Sequence, residues 1–288
     1  MTLPEIPPRA PLLKSIGWAV LFLALGFILM LALSVVGAAL FGGIDGLLQG
    51  PRGLILQTVS GLTAYGFMTW AVGLRGAKLT LTDLRWAPLS QAGRGLGLGL
   101  FLGGGAAGLA LVLSLVAGGA QFLPDGGTMS QYLVQVGRTG LLLAPAALLE
   151  EVMFRGVAQV VLARAVGRVA AVLLLSILFA LAHLANPNSS GLGLVNIALA
   201  GVFLGLTFYA PGGIWTAWGA HLGWNAALAA ADAPVSGLPF QIPLIDYSPG
   251  GPVWLTGGSF GPEGGLLATV AIVLATAIAW HWGRKELA

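Results

Sequence analysis

The sequence predicts an all-α, polytopic integral membrane protein of about eight transmembrane helices, and three observations carry that reading. Only 8% of the 288 residues are Asp, Glu, Lys or Arg, where a soluble chain carries about 25%. Hydrophobic residues make up 57% of the chain, with a mean hydropathy of +0.91. Uncharged stretches of about 20 residues, long enough to cross a hydrocarbon core of about 30 Å, recur along it. This composition excludes a soluble enzyme or a nucleic-acid binder. The thirteen Lys and Arg behind the formal charge of +3 are too dispersed to form a basic patch. No cysteine is present, so any chemistry falls to carboxylate, imidazole, amide and hydroxyl groups.

The first apolar run, Ile16 to Phe41, exceeds the about 7–15 residues of a signal-peptide core and reads as a retained helix. Later runs fall near 53–74, 93–118, 139–163, 169–185, 191–210, 213–231 and 264–282, each able to span at 1.5 Å per residue. The whole chain, 1–288, reads as a single transmembrane domain with a motif-bearing core at 139–231. Two connections are long. Residues 75–92 read as a short interfacial segment, and the Pro/Gly-rich 232–263 as a re-entrant or surface cap in which neither helix nor strand is expected. Glycines recur every fourth position as Gly95, Gly99 and Gly103, a flat stripe for close helix approach.

Charge asymmetry orients the spans. With a cytoplasmic N-terminus, inside segments hold Arg9, Lys14, Arg75, Lys78, Arg85, Arg94, Arg164, Arg168, Arg284 and Lys285. Outside segments hold Arg52 and Arg138 against Asp45, Asp125, Asp232, Asp246 and Glu263. Positive residues gather on the cytoplasmic side of membrane proteins, so both termini are expected in the cytoplasm of a multi-pass protein of the cell (inner) membrane. His281, between Trp280 and Trp282, reads as an interfacial anchor.

Ionisable residues within spans are costly, at least about 2.5–3.5 kcal/mol each at the bilayer centre, and mark function by default. They are Glu150, Glu151 and Arg155 on one span, His183 on the next, and His221, with the amide Asn225, on a later one. Glu151 and Arg155 are four apart, so they share a face and can neutralise each other. Glu150 lies about 100° around the helix and is left to face elsewhere. Pro145 is expected to bend this helix just before the acids. His221 and Asn225 are also one turn apart, with Gly219 and Gly223 beside them. One free carboxylate with an imidazole can activate water, while His and Asn donors can face a developing oxyanion. The GxSxG and HExxH signatures are absent. A zinc ion held by Glu150, His183 and His221 is the other arrangement these residue types allow.

Three segments, EEVMFR (150–155), FALAH (179–183) and HLGWN (221–225), match EExxxR, FxxxH and HxxxN motifs in order. The chain thereby resembles the CAAX protease and bacteriocin-processing (CPBP, or Abi) family of intramembrane proteases, and is similar to type II CAAX prenyl endopeptidases. The resemblance implies a conical intramembrane cavity and peptide-bond hydrolysis by water that Glu150 and His183 activate. It assigns His221 and Asn225 to the oxyanion site and Glu151 with Arg155 to the architecture. No bound metal is the favoured expectation, with zinc at Glu150, His183 and His221 as the alternative. The expected partners are the lipid bilayer and a peptide or protein substrate, lipidated or membrane-anchored substrates included. Two other classes compete: a non-proteolytic adaptor or immunity protein on the same fold, which would tolerate loss of Glu150, and a proton-coupled transporter, for which internal repeats are missing.

Overall fold

The structure, a computed structural model, describes residues 10–41 and 50–287. Arg9 and Asp45 of the charge pattern lie outside the described residues. Helices α1 (Leu12–Phe41), α2 (Gly50–Met68), α3 (Leu89–Val116), α4 (Met129–Arg155), α5 (Val157–Val166), α6 (Arg168–Ala182), α7 (Gly191–Thr207), α8 (Ile214–Ala230), the one-turn α9 (Val253–Thr256) and α10 (Leu266–Leu287) make up most of it. Three helical stretches, Leu12–Leu40, Leu89–Val116 and Leu266–Arg284, are long and apolar enough to cross a membrane. Large apolar side chains such as Val20 and Ile28 on α1, Phe101 on α3, Leu173 and Ile177 on α6 and Val273 on α10 stand exposed. Exposed apolar surface on this scale needs lipid as its solvent. The chain is a membrane protein.

The expected span 139–163 is divided. Helix α4 begins ten residues earlier, at a capping box in which Thr128 accepts from the Gln131 backbone and Gln131 reaches back, an arrangement that satisfies two orphan amides. It runs unbroken through Pro145 and ends at Gly156 (φ −76°, ψ −124°), after which α5 starts afresh. A Cβ at Gly156 would overlap the Val152 carbonyl, so the break needs glycine there.

The fold is also not purely helical. Strand β1 (Ala120–Pro124) pairs antiparallel with β2 (Ile245–Pro249), in the register Ala120↔Pro249 and Phe122↔Tyr247. The 232–263 connection therefore contains a strand and a helical turn, against the expectation from its glycines and prolines. Those residues punctuate it into short pieces, and pairing with β1 supplies the partner that a lone strand lacks. The connection is tied down where α8 ends, by the Ile242 amide donating to Asp232 Oδ1 at 2.7 Å.

The 77–88 connection docks on the turn that starts α8. Arg85 Nε donates to the Phe208 carbonyl at 2.8 Å, the Trp215 indole donates to the Ala87 carbonyl at 2.9 Å, and Trp86 bridges Gly213. Asp83 holds the far side of this loop to α5 through Arg164 Nη2 at 2.6 Å. Burial alone would push the Asp83 carboxyl up, but the Thr80 amide and hydroxyl and the Arg164 guanidinium outweigh it and hold the group below its ordinary value.

The most extensive helix contact joins α3 to α8, and it is made by backbone against backbone. A Cβ at Gly99 would overlap the Thr216 carbonyl, one at Gly103 the Ala220 carbonyl, and reciprocally one at Gly219 the Leu96 carbonyl. A Cβ at Gly223 would stand 2.6 Å from the Leu100 carbonyl. Two glycine faces therefore mesh, in a medium where packing rather than apolar burial drives association. Gly103→Ala is expected to destabilise by about 1–3 kcal/mol through overpacking, and Gly99→Leu by more. Gly97→Ala and Gly105→Ala, where a Cβ meets nothing within 4 Å, should melt at or slightly above the parent temperature. Thermal melts of the four purified variants check the contrast.

Candidate active site

Four helices bring together the polar residues that the sequence places within spans. Glu150 and Glu151 lie in the last turns of α4, His221 in the middle of α8, and Arg155 at the end of α4 against α7. His183 is not inside its helix: it is the C-cap of α6 (φ −97°, ψ 4°), one residue beyond the last helical position.

Glu151 and Arg155 form the expected i,i+4 pair, at 3.3 Å, with both side chains essentially inaccessible. Arg155 is held further by donating to the Gly201 carbonyl at 3.2 Å and by stacking over the Phe179 ring, 4.5 Å from its centroid. One turn on, Gln159 donates to the Gly205 carbonyl at 3.2 Å. This ladder fixes α4 and α5 against α7, and the glycines let the side chains reach the backbone.

The division of labour between the adjacent acids differs from the sequence expectation in one respect. Glu151 Oε1 also takes a hydrogen bond from His221 Nδ1 at 2.8 Å, so this carboxylate joins the ion pair to the histidine instead of serving the architecture alone. Glu150 faces the histidines: its Oε2 is 3.8 Å from His183 Nε2 and 3.8 Å from His221 Nε2. That oxygen is buried and makes no hydrogen bond within the protein. His183 Nδ1 lies 2.8 Å from the Phe179 carbonyl. A carbonyl and a carboxylate only accept, so both Nδ1 atoms carry the hydrogen, and each neutral ring would turn a bare Nε2 toward Glu150.

Phe179 is the packing centre of the group. Its ring lies 4.6 Å from the His183 ring, 6.1 Å from that of His221 and 5.2 Å, edge-on, from that of Phe154. It therefore sets the ring planes of both histidines and shields the ion pair. Asn225, one turn beyond His221, lines the same cavity as His183 and His221, together with Phe203, Trp224, Ser236 and Glu263.

Glu263, an outside-segment charge by the sequence reading, is buried in this cavity wall, accepting from the Trp224 indole at 2.9 Å and from the amide and hydroxyl of Ser236. Burial pushes its carboxyl above the ordinary value, with the three donors pulling the other way. The only sequence signal for it was an acid within a glycine-rich GPEGG run.

Zinc bound tetrahedrally at about 2.0–2.1 Å requires donor atoms about 3.3 Å apart. The two 3.8 Å separations at Glu150 are wider, and no group of His, Asp and Glu among the described residues is arranged to hold a metal. The two Nε2 atoms and the orphaned Glu150 oxygen are nonetheless the donor types of a two-histidine, one-carboxylate zinc site, so the zinc alternative stands beside the metal-free one.

A family model described as "Type II CAAX prenyl endopeptidase Rce1-like" matches residues 132–227. This stretch contains Glu150, Glu151, Arg155, His183, His221 and Asn225. Over these 96 of its 288 residues the chain is similar to the Rce1-like CAAX protease family. No curated protein and no solved structure matches the chain. The matched stretch takes in α4 to α8, apart from the ends of the first and last, and excludes α3, β2 and the turn that carries Glu263.

Removing one partner from a buried ion pair costs about 3–5 kcal/mol, so Glu151→Gln should lower the melting temperature sharply by stranding Arg155. Glu151→Gln with Arg155→Met should recover that stability. Because His221 also leans on Glu151, the double variant should keep the His221 side chain anchored only weakly. NMR of ring-labelled histidine should show a shifted or broadened His221 signal against an unchanged His183.

Proposed function

We propose that this protein is an intramembrane endopeptidase that hydrolyses peptide bonds with a water molecule activated by Glu150 and His183. The observation that carries the proposal is the convergence of Glu150 Oε2 with the Nε2 atoms of two histidines, beside a cavity that Asn225 also lines. At 3.8 Å from each, neither histidine nitrogen satisfies the Glu150 oxygen, and a water between them can hydrogen-bond to more than one.

In the proposed reaction the water oxygen attacks the scissile carbonyl carbon while one of its protons passes to the Glu150 carboxylate. The Asn225 amide, and His221 from Nε2, stabilise the oxygen that becomes negative. Donation from Nε2 requires the imidazolium form of His221, because Nδ1–H already serves Glu151; the Glu151 carboxylate at 2.8 Å balances that charge. Collapse breaks the C–N bond, and the proton held by Glu150 and relayed by His183 goes to the leaving amine. The products are a carboxylic acid and an amine, and the base is restored. The substrate is a peptide or protein within reach of the bilayer, lipidated chains included.

We also infer eight membrane crossings, with α4 and α5 together forming one, and both termini on the cytoplasmic side. The support is the excess of Lys and Arg on the inside segments and the membrane-length helices at the beginning and end of the described chain. A reporter fused after Ala288 should be active only as a cytoplasmic fusion; activity confined to a periplasmic reporter would invert this orientation.

Purified protein should cleave members of a peptide library. Glu150→Gln, which keeps size and hydrogen bonding but removes the base, should lower cleavage by at least about 10²-fold with a melting temperature close to the parent's. Full activity in Glu150→Gln would remove the hydrolytic assignment and favour a non-enzymatic partner role. Strong chelators should leave the rate unchanged; loss on chelation and recovery with added zinc would refute the metal-free chemistry.

A further inference from the structure

The wall of the cavity beside the two histidines holds a carboxylate, Glu263, which the proposed reaction does not use. Glu263 is 7% exposed, and donors reach its two oxygens from opposite elements. Oε1 accepts from the Trp224 indole of α8, and Oε2 from the amide and hydroxyl of Ser236 in the 232–263 cap. Its own backbone carbonyl accepts from Asn196 Nδ2 of α7 at 2.8 Å. Asn196 in turn reaches the Gly265 carbonyl at 2.9 Å and is met by the Thr269 hydroxyl of α10 at 2.7 Å.

The turn that delivers Glu263 is built for this placement. Gly257 and Gly261 take φ values of +87° and +94°, and a Cβ at either would overlap a backbone carbonyl. Ser236 is its counterpart. It is a non-glycine residue at φ +49°, a conformation that persists only where the surroundings hold it. Here they do: Glu263 takes its amide and hydroxyl, and Asn186 Nδ2, three residues after His183, donates to its carbonyl at 3.0 Å. Only a group that accepts on every side can serve Trp224 and Ser236 together, because an amide would set its own N–H groups against one of them.

From this juxtaposition we infer that Glu263 is a positioning residue of the active site, fixing the rotation of α8 through Trp224 and seating the cap over the cavity through Ser236. Trp224 immediately precedes Asn225, so the rotation that satisfies the indole also aims the Asn225 amide and His221 into the cavity. Ser236, Glu263 and both histidines line that same cavity, so the cap is one of its walls. The inference rests on the hydrolytic reading above for its catalytic consequence, but the seating of the cap can be measured without it.

The test uses the full-length protein, the peptide substrate found by library cleavage, and the variants Glu263→Gln, Trp224→Phe and their combination. Glu263→Gln should lower kcat by about tenfold or more while KM stays within about twofold, the pattern of an interaction used in the transition state. Amide exchange should quicken at Ser236 and across the cap, and stay unchanged in α1. Trp224→Phe, which removes one donor and leaves the cap seated, should lower kcat without altering exchange in the cap; it serves even if Glu263→Gln does not fold. The combined variant should be no worse than the poorer single one, as expected for residues acting as a unit. Unchanged exchange at Ser236 in Glu263→Gln overturns the inference, as do losses in the two single variants that multiply in the combination. Failure of the hydrolytic reading looks different: a parent protein that cleaves nothing, or an active Glu150→Gln, with the exchange result for Glu263→Gln still deciding whether the carboxylate seats the cap.

Discussion

The close approach of α3 and α8 is the constraint on which the rest of the structure depends. Lipid offers no apolar driving force between helices, so their separation is set by how near two backbones can come, and here glycines line both faces of the contact. Helix α8 carries His221, Trp224 and Asn225 on other sides of the same rod. Its start is fixed by the 77–88 loop through Arg85 and Trp215, and its far end by the Tyr132 hydroxyl donating to the Ala230 carbonyl. A helix clamped along one side and at both ends can present polar atoms with little freedom, which the preorganisation of a reaction site requires.

Against that fixed helix, α4 supplies two acids whose surroundings differ although they are neighbours in sequence. Glu151 is sealed, bound to Arg155 and His221, and screened by Phe179. Glu150 keeps a side chain that is about a third exposed and an oxygen with no partner in the protein. One acid is committed to internal contacts and the other is free to meet something from outside. The 100° between successive helical residues is what separates the two roles.

Much of this was legible in the sequence because it is encoded locally. The Glu151–Arg155 pair, the His221/Asn225 spacing and the Gly95–Gly99–Gly103 stripe all follow from the helical period, and composition alone implies the membrane. What escaped is what only tertiary contact creates. The His221–Glu151 bond joins residues 70 apart in the chain. Strand β2 exists because β1 pairs with it, and its own segment is too broken by Gly and Pro to declare a strand. Glu263 looked like a loop charge, since nothing local reveals that a carboxylate in a turn folds back against an indole of another helix. The break at Gly156 lay in plain view as a glycine, but within an apolar run it was indistinguishable from a packing residue.

The burial of Glu263 has a consequence for the site as a whole. Glu151 is paired with the one fixed cation, Arg155, whereas Glu263 and Glu150 have no cationic partner of that kind, and unbalanced buried charge is expensive. With every carboxylate ionised and both imidazoles neutral, these groups would carry two uncompensated negative charges. The seat of the cap thus depends on a carboxylate whose own burial works against its charge and on the three donors, from Trp224 and Ser236, that offset it.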